Sequence, residues 1–175
     1  MTHFDEIYDI AVDNYGLVTA AQAREQGITS VELRRWCKIG WLDHRGHGVY
    51  KIDHWAPTPL DSYAEALALV GDGSYLRGTA VLAMHNLALV DPRTIEVATA
   101  KRVRRKLPPW VEPVPTKEGD RTTYYEGIRS QRVADALREC RSYVMPDRLL
   151  AAVEDARREG LITKKECDEL EKELA

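Results

Sequence analysis

The sequence lacks the features that direct a protein to a membrane. None of its apolar stretches approaches the length of a spanning helix, and no basic segment followed by an apolar one opens the chain. We therefore expect a cytoplasmic protein that contacts no membrane. Paired cysteines are also missing, because Cys37, Cys140 and Cys167 include no C-x-x-C spacing. They are interpreted as reduced structural thiols, and no metal site is predicted.

Motifs that would indicate catalysis are missing as well. The sequence contains no G-x-S-x-G, no phosphate-binding loop, no H-E-x-x-H and no paired carboxylates. His85 lies among apolar residues and is interpreted as a structural histidine. We therefore predict a protein that is not an enzyme, with no catalytic residue and no cofactor.

General basicity is absent too, since the formal net charge of the 175 residues is -3. Binding to nucleic acid would therefore require a local basic patch. One candidate is the region 24–51, which holds six Lys or Arg and three acidic residues. This region has an excess of positive charge that the whole chain does not have.

The organisation of the chain changes between residues 53 and 59. Pro57 and Pro59 interrupt both helix and strand there. The sequence predicts a first domain over 1–55 and a second over 58–175. The predicted fold class is α+β, with an N-terminal winged helix-turn-helix followed by a small α+β domain with a helical tail.

The first domain is predicted from helix caps and a hairpin. Thr19 and Thr29 are good N-caps, and each has Gln22 or Glu32 three residues later as its capping-box partner. After these helices, residues 41–45 and 48–52 indicate two strands, and glycines at 46 and 48 allow the tight turn of a hairpin. A first helix over 2–14, two short helices and a hairpin are the element order of a winged helix.

The third helix is the predicted DNA-reading element. At about 100° per residue, Arg34, Arg35 and Lys38 share one face with Val31, opposite an apolar stripe. Arginine and lysine on such a face contact guanine edges or phosphates in the major groove. The alternative is an ordinary solvated helix face. The predicted DNA-binding residues are Thr29, Ser30, Val31, Arg34, Arg35, Lys38, and, in the hairpin, Arg45, His47 and Lys51.

The second domain carries a dense basic segment between a strand and a proline-rich stretch. Its cations are Lys101, Arg102, Arg104, Arg105 and Lys106. One interpretation is a solvated connection, and the other is an auxiliary nucleic-acid contact. Around it, the pattern predicts a helix that Thr58 caps and that runs to Val70, and strands at 74–76, 94–99, 111–116 and 122–125. Further helices are predicted at 78–86, 131–140, 146–159 and from Thr163 onward.

Four stretches of the first domain carry a family resemblance. They are Gly-Leu-Val-Thr-Ala-Ala-Gln-Ala at 16–23, Gly-Ile-Thr at 27–29, Gly-Trp-Leu at 40–42 and Arg-Gly-His-Gly-Val-Tyr at 45–50. Together they resemble the N-terminal domain of AbiEi-type antitoxins, and 78–87 and 127–137 are similar to later parts of that family. The resemblance implies a winged-helix repressor that binds double-stranded operator DNA in its own operon. It also implies a nucleotidyltransferase-like toxin, AbiEii, as partner in a type IV toxin–antitoxin system.

Two other classes of function compete with this interpretation. A nuclease or nucleotidyl-transfer enzyme with a winged-helix arm would need clustered acids for metal ions, but the acids of the second half are scattered or helical. A protein-interaction module would use the winged helix to bind protein. The sequence predicts neither an operator sequence nor an oligomeric state.

Overall fold

The N-terminal part of the chain builds helices around a small sheet. The computed structural model describes residues 1–175. The elements of this part are α1 (His3–Val12), β1 (Leu17–Thr19), α2 (Ala20–Glu25), α3 (Ser30–Lys38), β2 (Leu42–Gly46), β3 (Val49–Ile52) and α4 (Asp61–Val70). Three helices followed by the β2–β3 hairpin, the wing, confirm the winged-helix order. The predicted α+β class is likewise confirmed.

The predicted caps form as capping boxes. The Thr19 hydroxyl accepts from the Gln22 amide, and the Gln22 side chain accepts in return from the Thr19 amide. Thr29 and Glu32 make the same reciprocal pair at the start of α3. These bonds satisfy amide groups that the first helical turn leaves without a partner, and so they fix where both helices begin.

The sheet has one strand more than the sequence analysis predicted. Residues 17 and 18, which lie outside the predicted helices and strands, belong to β1, which pairs antiparallel with β3 in the strand order β1-β3-β2. Pairing gives the second edge of β3 backbone partners that a two-stranded hairpin leaves unmatched. The sheet closes one side of a core that includes Ile7, Leu33 and Trp36.

Gly16 is a position of this unit where a side chain would overlap a neighbouring ring. Its φ is +78°, and a Cβ there would lie 2.5 Å from the Trp55 ring. We expect Gly16→Ala to lower the free energy of unfolding by about 1–3 kcal/mol through this overlap, in addition to the backbone strain. Gly27→Ala is the matched control, because Gly27 has a φ of +74° and nothing within 4 Å of the new Cβ. Equal losses for the two variants in urea titrations would contradict the role of Trp55.

Helix α4 differs from its prediction in two respects. It begins at Asp61 with Leu60 at the N-cap position, so Thr58 is not its cap. Instead, Thr58 donates from its amide and hydroxyl to the Asp61 carboxylate. The helix also packs with the first domain, whereas the predicted boundary assigned it to the second. The chain forms an N-terminal unit of residues 1–72 and 104–108, and a C-terminal unit of 73–103 and 109–175.

The C-terminal unit is a five-stranded mixed sheet with helices. Its elements are β4 (Tyr75–Leu76), α5 (Thr79–Met84), β5 (Ile95–Thr99), β6 (Val111–Pro115), β7 (Thr122–Tyr125), β8 (Ile128–Gln131), α6 (Val133–Glu139), α7 (Pro146–Arg158) and α8 (Lys164–Leu174). The strand order is β6-β5-β4-β8-β7. A short 3₁₀ helix, Cys140–Ser142, follows α6. No helix of the chain combines the length and the apolar character that crossing a bilayer requires.

The predicted elements of this unit are found with shifted ends. The helix predicted from residue 131 starts at Val133, because Gln131 is the last residue of β8 and pairs with Thr122 of β7. The capping box of Thr163 and Glu166 is present at the start of α8, as predicted. Leu76 of β4 and Leu137 of α6 are fully buried, and so are apolar side chains of α7 and α8. This unit therefore has a core of its own.

Candidate nucleic-acid interface

Helix α3 presents its cations to solvent and its apolar stripe to the core. Leu33 and Trp36 are buried, whereas Arg34, Arg35 and Lys38 are exposed. None of these three cations has an ion pair with an acidic side chain. Val31 lies on the same face and is 64% exposed. The face therefore offers free positive charge around a small apolar group.

The first turn of α3 is stabilised by the carboxylate of Glu32, which bonds back to Thr29, the N-cap residue of the same helix. The Glu32 carboxylate accepts from the Thr29 amide and also lies 2.6 Å from Nδ1 of His3 on α1. The bond from the Thr29 amide, followed by the His3 contact, lowers the pKa of Glu32. Thr29 is therefore engaged in the cap, and Ser30 is the exposed hydroxyl at this end. An ionised Glu32 stabilises the helix N-terminus and fixes the start of the exposed face.

A groove between α2 and α3 adds a cation that the sequence analysis did not select. Arg24 lines this groove together with Thr29 and Ser30. Arg24 contributes to the positive charge of the region 24–51, but it lies on the helix before the predicted reading helix and is not among the predicted DNA-binding residues. Its place in the structure depends on the angle of the α2–α3 turn, which spacing alone does not give.

The wing offers less free charge than its sequence indicates. His47 is exposed at the turn, and His44 stacks on Tyr50 with ring centroids 5.1 Å apart. Arg45, however, is paired with the buried Glu65 of α4 through two nitrogens, and it donates to Asp43 at 2.9 Å. These bonds, the one to Glu65 first, raise the pKa of Arg45.

Lys51 of the wing is also engaged by α4. Its ammonium lies 3.2 Å from the Asp61 carboxylate, and both side chains are more than four-fifths buried. Burial alone would raise the pKa of Asp61, but bonds from Thr58 and Lys51 hold it below its ordinary value. Arg45 and Lys51, both predicted as DNA contacts, are thus paired with Glu65 and Asp61, acids that lie outside the region 24–51.

We expect Arg45→Ala to act on stability rather than on DNA binding. The substitution leaves the Glu65 carboxylate buried without its main partner, at a cost of about 1–3 kcal/mol in the free energy of unfolding. The salt dependence of DNA binding should stay unchanged, because the guanidinium is already neutralised. The double variant Arg45→Ala/Glu65→Leu should recover most of the stability. A shallower salt dependence with unchanged stability would instead identify Arg45 as a phosphate contact.

The basic segment 101–106 is an irregular connection, and one of its cations has a structural role. Arg105 donates from Nε and Nη2 to the backbone carbonyls of Leu69 and Val70 at the end of α4, at distances of 2.6–3.2 Å. Arg105 is therefore not a free nucleic-acid contact. The exposed cations without an ion pair are Lys101, Arg102, Arg104 and Lys106.

The C-terminal unit contains a buried ionic cluster around Arg77. Its guanidinium pairs with Asp120 and, at 3.0 Å, with Glu139, and the Tyr75 hydroxyl also donates to Asp120. Burial and the bond to Asp120 raise the pKa of Tyr75 to about 12. Gln131 donates to Glu139 at 2.9 Å. Each carboxylate is thus bonded by several donors, which is the arrangement of a structural ion network.

Other candidate reactive groups of this unit are buried and uncharged. His85 packs edge-to-face on Tyr125, and burial lowers its pKa, so it is neutral at pH 7. Burial raises the pKa of the Cys140 thiol to about 12, which keeps it protonated. No group of three or more His, Cys, Asp or Glu side chains is arranged to hold a metal ion.

The comparison with known families concerns the winged helix. Residues 5–52 match the model of the family AbiEi_4, described as transcriptional regulator, AbiEi antitoxin. The matched segment runs from α1 to the end of β3, so the predicted resemblance to AbiEi-type antitoxins is confirmed there. No curated protein matches the chain significantly.

Proposed function

We propose that this protein is a DNA-binding transcriptional repressor that binds operator DNA in its own operon. The observation that carries the proposal is the exposed face of α3. Three cations without acidic partners surround the exposed Val31, inside the segment that matches a family of transcriptional regulators. The protein acts in the cytoplasm, without catalysis and without a cofactor.

In this proposal α3 enters the major groove and reads base edges. Arg34, Arg35 and Lys38 bond to guanine edges or to phosphates, and Val31 meets a thymine methyl group. Arg24 and Ser30, which share the groove beside the start of α3, hold the adjacent phosphates. His47 at the turn of the wing follows the sugar–phosphate backbone, and the free cations of the basic segment widen the footprint.

Fluorescence anisotropy with the full chain tests this proposal. The probe is a labelled duplex from the region upstream of the gene, and unlabelled duplex of unrelated sequence is the competitor. We expect the upstream duplex to bind at least a thousandfold more tightly than the competitor, as specific DNA-binding proteins do. Equal affinity for both duplexes would contradict a role as a specific repressor.

We further propose that the protein is the antitoxin of a type IV system, with toxin antagonism in the C-terminal unit. Two observations support this proposal: the family match, and the separate core of the C-terminal unit. A winged helix that only binds DNA does not need a second unit with its own core. The toxin is a nucleotidyltransferase-like protein encoded beside the gene. The test co-expresses that neighbour with the full chain and scores growth.

The growth test should use intact chains, since a cut near residue 57 would separate the wing from α4. Variants in which α3 has lost its cations should still protect cells, because DNA reading and toxin antagonism lie in different units. Growth arrest despite full expression of the wild-type protein would contradict the antitoxin role and leave the DNA-binding result unaffected.

A further inference from the structure

We infer that Arg105 is a positioning residue that fastens Arg104 and Lys106 beside the wing, where they bind the phosphodiester backbone of DNA. The inference deepens the proposed function and rests on its assumption that DNA lies along α3 and the wing. It assigns different roles to neighbouring arginines of one basic segment.

The first observation is the way in which Arg105 holds α4. Its guanidinium bonds the Leu69 carbonyl at 2.7 and 3.2 Å and the Val70 carbonyl at 2.6 Å. These are carbonyls of the last helical turn, which have no amide partner inside the helix and carry the negative end of its dipole. Residues 104–108 accordingly belong to the N-terminal unit, although they are distant from it in sequence.

The second observation is that the same turn of α4 touches the wing. The Leu69 side chain lies directly against Gly46, where a Cβ would overlap its Cδ2 atom. Gly46 ends β2, next to the turn that carries the exposed His47. Leu69 therefore links Arg105 to the wing, because its backbone carbonyl accepts from Arg105 and its side chain packs against Gly46.

The third observation concerns charge. The wing's own cations, Arg45 and Lys51, are neutralised by Glu65 and Asp61. Arg104 and Lys106, on either side of the anchor, are exposed and have no ion pair. Positive side chains bind the phosphate backbone of DNA and position a protein on the duplex. The segment 104–106 supplies near the wing the free charge that α4 removes from it.

The test measures how the affinity for the upstream duplex depends on salt. Each phosphate contact contributes about 0.9 to the slope of log affinity against log salt. Arg104→Gln/Lys106→Gln should make the slope shallower by about 1.8. Arg105→Ala should cause a similar change without removing a phosphate contact itself, and Arg105→Lys, which keeps a donor for the carbonyls, should restore most of the slope.

Two controls separate this effect from general loss of charge or fold. Arg141→Gln/Lys164→Gln removes two exposed, unpaired cations of the C-terminal unit and should leave the slope unchanged. Adding Arg105→Ala to Arg104→Gln/Lys106→Gln should cause little further change, since the charges to be positioned are already gone. Full additivity of the three substitutions would overturn the positioning role.

A second readout does not depend on DNA. Hydrogen–deuterium exchange of the amides in the last turn of α4, among them the Gly71 amide that donates to the Leu67 carbonyl, should be faster in Arg105→Ala than in the wild type, and slow again in Arg105→Lys. Unchanged exchange in Arg105→Ala would overturn the anchor. An unchanged salt slope in Arg104→Gln/Lys106→Gln would overturn the phosphate contact. If wild-type protein fails to bind any duplex, the proposed function and this contact both fall, while exchange still decides the anchor.

Discussion

Replacing Arg34, Arg35 and Lys38 together with alanine is expected to abolish specific DNA binding and to leave the fold intact. All three side chains are exposed and unpaired, and alanine favours helix, so α3 should form as before. Each lost base-edge contact should cost about 1–3 kcal/mol of binding free energy. Anisotropy with the upstream duplex measures the affinity, and circular dichroism with thermal melting verifies the fold.

A variant with the same change of charge elsewhere is the control for this experiment. Arg141, Arg148 and Lys164 also comprise two arginines and one lysine that are exposed and unpaired, and they lie in the C-terminal unit. Their replacement with alanine should leave the specific affinity within a few-fold of the wild type. If the α3 variant is folded and binds the upstream duplex as well as the wild type, α3 is not the reading helix.

Arg77→Met is expected to cause the largest loss of stability in the C-terminal unit. The side chain of Arg77 is 5% exposed, and its removal leaves Asp120 and Glu139 as buried carboxylates without their central cation. Breaking one side of such a buried ionic group costs about 3–5 kcal/mol in the free energy of unfolding. Chemical denaturation followed by circular dichroism measures the loss.

Arg121→Met provides the comparison with an exposed pair. Arg121 bonds Asp135 through two nitrogens, at 2.7 and 3.0 Å, but its side chain is 52% exposed. We expect a loss of no more than about 1 kcal/mol, because water screens the pair and solvates the carboxylate that remains. Similar losses for the two arginine variants would mean that the Arg77 cluster does not stabilise the fold.

The Arg77 cluster also predicts a dependence of stability on pH. Burial alone would raise the pKa values of Asp120 and Glu139. Hydrogen bonds from Tyr75 and Arg77 hold that of Asp120 below its ordinary value of 3.8, and bonds from Arg77 and Gln131 hold that of Glu139 below 4.5. Carboxylates with lowered pKa values add stability above those ordinary values and lose it as the pH falls below them. Wild-type protein should therefore weaken below about pH 4, and Arg77→Met should show a smaller dependence in that range.

Much of the local structure follows from the sequence alone. Thr19, Thr29 and Thr163 each have a Glu or Gln three residues later, and each forms the predicted capping box. These are short-range bonds, and the residue types at a spacing of three determine them. The exposed face of α3 follows in the same way from the helical period, because neighbours at that spacing lie on one side of any helix.

Sequence spacing alone gave less reliable predictions at the boundaries between elements. Thr58 and Pro59 have the composition of a helix start, yet α4 begins at Asp61, whose carboxylate Thr58 bonds instead. Residues 17 and 18 are too few to be predicted as a strand, but they pair with Lys51 and Tyr50 of β3. Residues 17 and 18 form a strand because β3, distant in the sequence, pairs with them. Thr58 does not cap α4 because the nearby Asp61 carboxylate accepts its hydrogen bonds instead.

The sequence by itself therefore determined where the helices of the winged domain begin, which face of α3 is polar, and the family that residues 5–52 resemble. Only the tertiary structure decided which cations of that domain remain free. Arg45 meets Glu65 twenty residues away, and Arg105 meets Leu69 thirty-six residues away. Coulomb attraction and hydrogen bonding act over a few ångströms of space. A cation that is free in the sequence therefore becomes paired whenever packing brings an acceptor within that distance.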